Sequence, residues 1–167
     1  GPHGFDAHAG GDRLEAAERF ERSLHGLFVE LAGRRERTGK SRAGALFVES
    51  HGQPVVYVAR GDLAGVAAYL RDEEQFTMLV DITAVDHLLD GNRYSPPGVE
   101  LERFEVVANF LSHARNRRIR VICEVPADDP TVPSLTPLYP GANFPERETY
   151  DLLGISFVDH PDLTRIL

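Results

Sequence analysis

Apolar residues in the first part of the chain recur at steps of three and four positions, as on one face of an α-helix. The residues with this spacing are Leu14, Ala17, Phe20, Leu24, Leu27, Phe28 and Leu31. Asp12 and Glu15 precede them with the spacing of a capping box, and Gly33 follows them. The pattern predicts an amphipathic helix from Asp12 to about Gly33, after a flexible lead formed by residues 1–11.

Further along, short segments rich in β-branched and aromatic residues predict strands at Ala45–Glu49 and Val55–Ala59. His51 to Pro54 supply the turn between them. Asp62 is the predicted cap of a second helix. This helix has one apolar stripe, formed by Leu63, Val66, Ala67 and Leu70.

Alternation of apolar and polar residues then predicts three more strands. In the first, Met78, Val80, Ile82 and Ala84 share one face. The alternating segments at 104–110 and 119–125 are separated by a short link and predict an antiparallel hairpin. The predicted order over residues 12–125 is α-β-β-α-β-β-β. It indicates an α+β fold, a two-layer α/β sandwich with the helices on one side of the sheet.

The composition changes at residue 126, because the fifteen positions that start there contain five prolines: Pro126, Pro130, Pro133, Pro137 and Pro140. Proline disfavours regular ladders and long helices. We therefore predict an extended arm over residues 126–167. It contains a short helix at about 144–153, capped by Asn143, with Pro145 in its first turn and Gly154 at its end. Such a short, charged helix needs packing from elsewhere, so we expect the arm to lie along a partner protein.

Composition excludes several classes of function. The net charge of −8 disfavours nucleic-acid binding, which needs clustered cations. A single cysteine, Cys123, excludes a disulfide framework, a multi-cysteine zinc site and a thiolate-held iron–sulfur cluster. Apolar runs fall well short of the ~18 residues that a membrane-spanning helix needs. The segment from Gly33 to Ser41 looks like a phosphate-binding loop, but five residues separate its glycines, and a predicted helix precedes it.

The charged segment 146–151 leaves two interpretations open. In the first, Glu146 and Glu148 favour the helix N-terminus, Arg147 pairs with Asp151, and the helix lies at an interface. In the second, Glu148 and Asp151 form the acid–base pair of a free-standing hydrolase, although three-residue spacing on one helix disfavours this. Asp159, His160 and Asp162 form a metal-like cluster on one short loop, for which turn chemistry is the simpler interpretation.

Several longer segments resemble the 30-kDa-type subunit, the C subunit, of respiratory NADH:quinone oxidoreductase (complex I). The resemblance covers about residues 12–167. The segments that carry it are Asp81–Asp86, Arg103–Val107, Asp129–Thr136, Tyr139–Phe144, Glu146–Ile155 and His160–Leu167. The sequence departs from the usual family pattern at Asp159, where glycine is common, and at Tyr139 and Phe144, where tryptophan is often found.

The resemblance implies a cofactor-free structural subunit with no catalytic or metal-binding residue, in a complex that moves electrons from NADH to quinone. Flavin and iron–sulfur clusters are expected on partner subunits. The implied partners are the large quinone-site subunit and the small subunit with the terminal cluster. The implied location is the peripheral arm, at the cytoplasmic face of the inner membrane. A similar scaffold role in a membrane-bound hydrogenase is the alternative. The expected interface residues are Tyr139, Phe144, Glu146, Arg147, Glu148, Tyr150, Asp151, His160 and Arg165.

Overall fold

The computed structural model describes residues 46–167 without a gap, together with six earlier residues. These six are Glu15, Glu18, Arg19, Arg22, Ser23 and Gly26, and all of them are helical. Arg19 and Glu15 form an exposed ion pair of 3.0 Å along this helix. The rest of the predicted N-terminal helix and the predicted lead of residues 1–11 lie outside the described residues. The chain divides into two compact units, Gly1–Arg42 and Ala43–Leu167.

The second unit is built on a five-stranded sheet. Its strands are β1 (Leu46–Ser50), β2 (Gln53–Val58), β3 (Met78–Asp86), β4 (Phe104–Ser112) and β5 (Arg117–Val125). They lie side by side in the order β1-β2-β5-β4-β3. β2 and β5 are parallel, whereas the other neighbours are antiparallel. Together with its helices, this sheet confirms the predicted α+β class.

Helix α1 (Leu63–Asp72) follows a 3-10 turn at Arg60–Asp62. Its predicted apolar stripe is confirmed, because Leu63, Val66, Ala67 and Leu70 are all buried. The predicted capping role of Asp62 is wrong. Asp62 has helical backbone angles and makes no side-chain cap hydrogen bond, since the 3-10 turn already leads the chain into the helix.

Both predicted hairpins are present. His51 and Gly52 have φ angles of 53° and 74°, and they form a two-residue turn between β1 and β2. Left-handed angles at both positions match the twist of paired strands. Gln53 and Pro54 belong to β2 rather than to the turn. The β4–β5 hairpin turns at residues 113–116, where Asn116 has a φ angle of 49°.

The predicted face assignment along β3 is wrong at its start. Leu79 pairs with Phe110 and Asp81 pairs with Asn109, so Val80 is an extra residue in a β-bulge. The bulge shifts the alternation by one position. As a result Met78 and Val80 are 43% and 41% exposed, whereas Ile82 is buried.

The sheet has two faces with different cores. The inner face carries Val56, Val106, Phe110, Val121 and Cys123, each at most 1% exposed. The outer face carries a smaller apolar cluster of Val55, Val107 and Ile122, against which Val48 and Tyr57 pack. Near the centre of β4, side chains on both faces of the sheet are therefore buried, and the alternation of buried and less buried residues is interrupted.

Residues 126–167 differ from the predicted extended arm. They form β6 (Thr131–Pro133), a 3-10 turn at Pro140–Ala142, helix α2 (Asn143–Leu153) and β7 (Ser156–Val158). β6 and β7 pair in parallel. The side chains of Val132, Leu135, Ile155 and Phe157 are at most 1% exposed. Since residues 43–167 form one compact unit, the predicted boundary between residues 125 and 126 is not a boundary of the fold.

Arg60 ties the proline-rich segment to the start of α1. Its Nη1 donates to the Asp129 carbonyl at 2.8 Å and lies 2.9 Å from the Asp129 carboxylate. The same nitrogen lies 3.2 Å from the Thr131 carbonyl. The guanidinium thus adds side-chain hydrogen bonds to the backbone carbonyls on both sides of Pro130.

Helix α2 occupies almost the predicted span. Its cap residue is Ala142, so Asn143 lies in the first turn and the predicted capping role of Asn143 is wrong. The preceding 3-10 turn leads into the helix, as it does at α1. The predicted end is confirmed: Gly154 has a φ angle of 72° and its amide donates to the Tyr150 carbonyl.

Candidate partner interface

The nine predicted interface residues fall into two groups in the structure. The side chains of Tyr139, Glu146, Asp151 and His160 are buried within the unit. Phe144, Glu148 and Arg165 are exposed, and Arg147 and Tyr150 are partly exposed. The segment therefore has an internal polar framework and a separate outward surface.

Tyr139 is an internal tie rather than an exposed anchor. It is 4% exposed, and its ring lies 5.2 Å from the ring of Phe110 on the inner face. Its hydroxyl donates to the Phe76 carbonyl at 2.8 Å and lies 3.2 Å from the Ala67 carbonyl. Burial raises the pKa of Tyr139 above its usual value, which keeps the hydroxyl protonated as a donor. Tyr139 thus joins α1 to the segment that leads into α2.

Glu146 is a fully buried carboxylate that organises the loop after β6. Its Oε1 accepts from the Leu135 amide and its Oε2 accepts from the Ser134 hydroxyl, both at 2.7 Å. Burial raises the pKa of Glu146 to about 7, although these two hydrogen bonds act in the opposite direction. Glu146 thus joins α2 to the loop rather than offering its charge to a partner.

His160 completes this framework from the other side. Its Nδ1 accepts from the Asp162 amide at 3.0 Å, so the ring proton lies on Nε2. Nε2 is 3.2 Å from the Asn143 carbonyl and 3.9 Å from Glu146 Oε2. Both ring nitrogens are therefore engaged by the protein itself. This arrangement supports turn chemistry over a metal site at Asp159, His160 and Asp162.

Arg147 and Asp151 bind the C-terminal tail, and the structure does not show the predicted pair between them. Arg147 Nε donates to the Thr164 carbonyl at 2.9 Å, and Nη2 donates to the Thr164 hydroxyl at 3.0 Å. Asp151 Oδ2 accepts from the amides of Ile166 and Leu167. The tail lies within reach of both side chains, so each finds backbone partners there.

We expect Arg147→Ala to lower the free energy of unfolding by only about 1 kcal/mol, because its partners are solvent-accessible. The larger effect should be local, with faster amide hydrogen exchange at Ile166 and Leu167 once the tail loosens. Hydrogen exchange followed by mass spectrometry measures this, with Arg118→Ala as the control, since Arg118 is an exposed arginine on β5, away from the tail. Equal exchange rates in Arg147→Ala and the parent protein would show that Arg147 does not hold the C-terminal tail in place.

The outward surface of α2 is formed by side chains spaced four residues apart. Phe144 is 59% exposed, Glu148 is exposed and Leu152 is 64% exposed. Positions i, i+4 and i+8 lie on one face of a helix. We call these three residues the α2 outer face. Leu152 was not among the predicted interface residues, although its position eight residues after Phe144, on the same helix face, is a signal that would have identified it.

The hydrolase interpretation is not supported by the geometry. Glu148 lies on the α2 outer face, whereas the Asp151 side chain is 1% exposed and holds two backbone amides. The two carboxylates therefore share no cleft in which a substrate bond can lie between them.

Cys123 is equally unsuited to nucleophilic attack, because burial raises the pKa of its thiol to about 12. No helix among the described residues is long and apolar enough to span a membrane.

Comparisons with known proteins place these features in a family. The family model for "Respiratory-chain NADH dehydrogenase, 30 Kd subunit" matches residues 56–167. A 30.4 kDa NADH-ubiquinone oxidoreductase subunit of Candida maltosa is 46% identical over 114 residues, 67% of this chain and 37% of that protein. The NADH-quinone oxidoreductase C subunit of Herpetosiphon aurantiacus is 42% identical over 121 residues, 71% of this chain and 65% of that protein. The aligned part thus spans between about a third and two thirds of these relatives.

Solved structures agree with the sequence relatives. The trypsin-resistant fragment of Nqo5 superposes with a TM-score of 0.65 at 30% identity, covering 87% of this chain and 99% of the fragment. A chain of an archaeal membrane-bound sulfane sulfur reductase has a TM-score of 0.58 at 17% identity, covering 87% of this chain and 72% of that one. The second likeness shows a shared fold alone. The family match covers most of the chain, and this chain therefore belongs to the family of the 30-kDa subunit of respiratory-chain NADH dehydrogenase.

Proposed function

We propose that this chain is a structural subunit of a proton-translocating NADH:quinone oxidoreductase. It holds neighbouring subunits of the peripheral arm at the distances that electron transfer from NADH to quinone requires. Family membership over residues 56–167 is the observation that carries this proposal. The flavin, the iron–sulfur clusters and the catalytic residues belong to partner subunits in this proposal. The complex lies at the cytoplasmic face of the inner membrane.

The structure supports the proposal because some side chains of α2 make contacts within the chain, whereas others are exposed. The buried carboxylate of Glu146 joins the helix to the loop after β6, and Arg147 and Asp151 bind the C-terminal tail to the helix. Phe144 and Leu152 nevertheless remain exposed on this helix. Large apolar side chains on a rigid helix are suited to fill pockets of a partner. We assign the α2 outer face to contact with the large quinone-site subunit or the small terminal-cluster subunit.

We expect the double variant Phe144→Ser/Leu152→Ser to lose at least about tenfold of its co-purification with the complex. The isolated chain should keep its melting temperature, because both side chains are already exposed to water. The measurement is affinity purification of the tagged chain from its own cells, with the co-purified subunits quantified by mass spectrometry. Val80→Thr is the control, since Val80 is also exposed but lies on the sheet edge. Full co-purification of the double variant would show that the α2 outer face does not contribute to partner binding.

Two other functions make different predictions, one for the purification and one for the isolated chain. A scaffold role in a membrane-bound hydrogenase predicts a partner with a nickel site in place of the quinone-site subunit. The names of the sequence relatives, NADH-ubiquinone and NADH-quinone oxidoreductase subunits, favour the first proposal. A free-standing hydrolase predicts turnover by the isolated chain that Glu148→Gln abolishes. We expect no such turnover, and an effect of Glu148→Gln on assembly alone.

A further inference from the structure

The loop between β3 and β4, residues 87–103, carries large apolar side chains that point into water. Leu88 is 64% exposed, Leu89 is 96% exposed and Tyr94 is 78% exposed. A connection longer than about 15 residues is uncommon in a compact domain and is usually functional when it is ordered. We call Leu88, Leu89 and Tyr94 the loop tip.

Hydrogen bonds fix the base of this loop. The His87 amide donates to the Arg103 carbonyl at 2.8 Å, which closes the loop where it leaves the sheet. Next to it, Arg103 binds the Asp86 carboxylate through two nitrogens, with Nε to Oδ1 at 2.9 Å and Nη2 to Oδ2 at 2.7 Å. The Leu88 amide donates to Asp86 Oδ1 at 3.0 Å. The backbone that presents Leu88 and Leu89 is thus held in one position.

A second set of contacts fixes the middle of the loop to the outer face of the sheet. The Arg93 side chain is 10% exposed and lies between the carboxylates of Glu105 on β4 and Glu124 on β5. Its Nη2 also donates to the Glu102 carbonyl at 3.1 Å, and the Glu102 amide donates to Glu124 Oε2 at 2.9 Å. A buried guanidinium with several acceptors restrains the neighbouring Tyr94.

An ordered loop with an exposed apolar tip favours binding, because its backbone loses little conformational entropy when a partner binds. The charge around the tip indicates the kind of partner. Arg93 and Arg103 are both paired with carboxylates of their own chain. The Asp90 side chain lies 3.7 Å from the His87 ring but is still 54% exposed, and Glu100 is exposed. The exposed charge of the loop is therefore negative, which disfavours an anionic lipid surface and favours a protein surface with cations.

We propose that the loop tip docks into an apolar pocket bordered by arginine or lysine on another protein subunit. This inference rests on the proposed function in one respect: the other subunit belongs to the same complex. The surface differs from the α2 outer face in every residue. Leu88 and Leu89 fill the pocket, and Asp90 and Glu100 face its basic border.

A photo-cross-linking amino acid at position 89 of the tagged chain tests this in the intact complex. We expect cross-links to one site on a different subunit, with apolar residues at the site and arginine or lysine beside it. Cross-links only to a second copy of this chain, only to lipid, or to no other molecule would each overturn the proposal. Position 89 is suited to the probe because Leu89 is 96% exposed, so the change disturbs no internal packing.

A double variant provides an independent measurement on the same complex. We expect Leu88→Ser/Leu89→Ser to dissociate from the complex at least about tenfold faster than the parent protein. Leu89→Met, which keeps the apolar character, should dissociate at the parental rate. Equal rates for the double variant and Leu89→Met would overturn the docking role.

The two proposals fail in different ways. If the parent chain does not co-purify with any subunit of an NADH:quinone oxidoreductase, the proposed function is wrong. If the parent chain assembles and Phe144→Ser/Leu152→Ser weakens assembly while Leu88→Ser/Leu89→Ser does not, only the loop inference is wrong.

Discussion

Replacing Phe157 by alanine is expected to lower the free energy of unfolding by about 3–5 kcal/mol, the cost of removing a buried phenylalanine side chain. Phe157 is 1% exposed and belongs to β7, where it pairs with Val132 of β6. The loss combines the transfer of apolar area to water with the cavity left behind. Urea unfolding of the isolated chain, followed by circular dichroism, measures it.

The adjacent residue gives a matched control for this experiment. Val158 follows Phe157 on the same strand, points to the opposite side and is 49% exposed. We expect Val158→Ala to change the free energy of unfolding by less than about 0.5 kcal/mol. If Phe157→Ala is equally mild, residues 126–158 do not contribute to the folded unit, and the extended arm predicted from the prolines describes them better.

The second large effect concerns the pH dependence of stability at Glu146. Burial raises the pKa of Glu146 to about 7, whereas an unfolded glutamate titrates near about 4.3. The folded state therefore binds more protons than the unfolded state between these two values. Stability from this group is fully present below pH ~4.3 and falls as the pH rises to ~7, by about 3 kcal/mol in total.

Glu146→Gln isolates this contribution, because the amide is uncharged at every pH. Its carbonyl can accept from the Leu135 amide, and its NH₂ can donate to the Ser134 hydroxyl, which already lies 2.7 Å from the Thr136 hydroxyl. We expect the stability difference between Glu146→Gln and the parent protein to shift by about 3 kcal/mol in favour of Gln between pH ~4.5 and ~8. Urea unfolding across this pH range gives the difference directly.

A difference that stays constant with pH would contradict a raised pKa. It would mean that the carboxylate is ionised in the fold, stabilised by the hydrogen bonds from the Ser134 hydroxyl and the Leu135 amide. Glu146→Ala completes the set, since it leaves the Leu135 amide and the Ser134 hydroxyl without this acceptor. We expect that variant to be less stable than Glu146→Gln at every pH, by about 1–3 kcal/mol.

Much of the sheet could be predicted because its side chains alternate over long segments. β4 and β5 run for nine residues each, and the apolar stripe of α1 is complete over two turns. The bulge at Val80 could not be predicted, because the alternation Met78, Val80, Ile82 is unbroken in the sequence. A bulge depends on pairing with the neighbouring strand, and the sequence of β3 alone contains no signal that predicts it.

The segment proposed as an interface could be chosen from the sequence, but the arrangement of its side chains could not. The segment was chosen by its resemblance to a family, and in the structure Phe144 is exposed. The burial of Glu146 could not be predicted, because glutamate is almost never fully buried without specific partners. Those partners, Ser134 and Leu135, lie more than ten residues away.

The sequence alone determined the α+β class, the hairpins and the family to which the chain belongs, because periodic patterns and long ordered motifs are local properties. Only the tertiary structure decided that residues 126–158 pack into the same unit as the sheet. Three-residue strands such as β6 and β7 have no detectable period, and their parallel pairing joins positions 25 residues apart, from Thr131 to Ser156. The free energy that holds them comes from burying Val132, Leu135 and Phe157 against elements distant in the sequence.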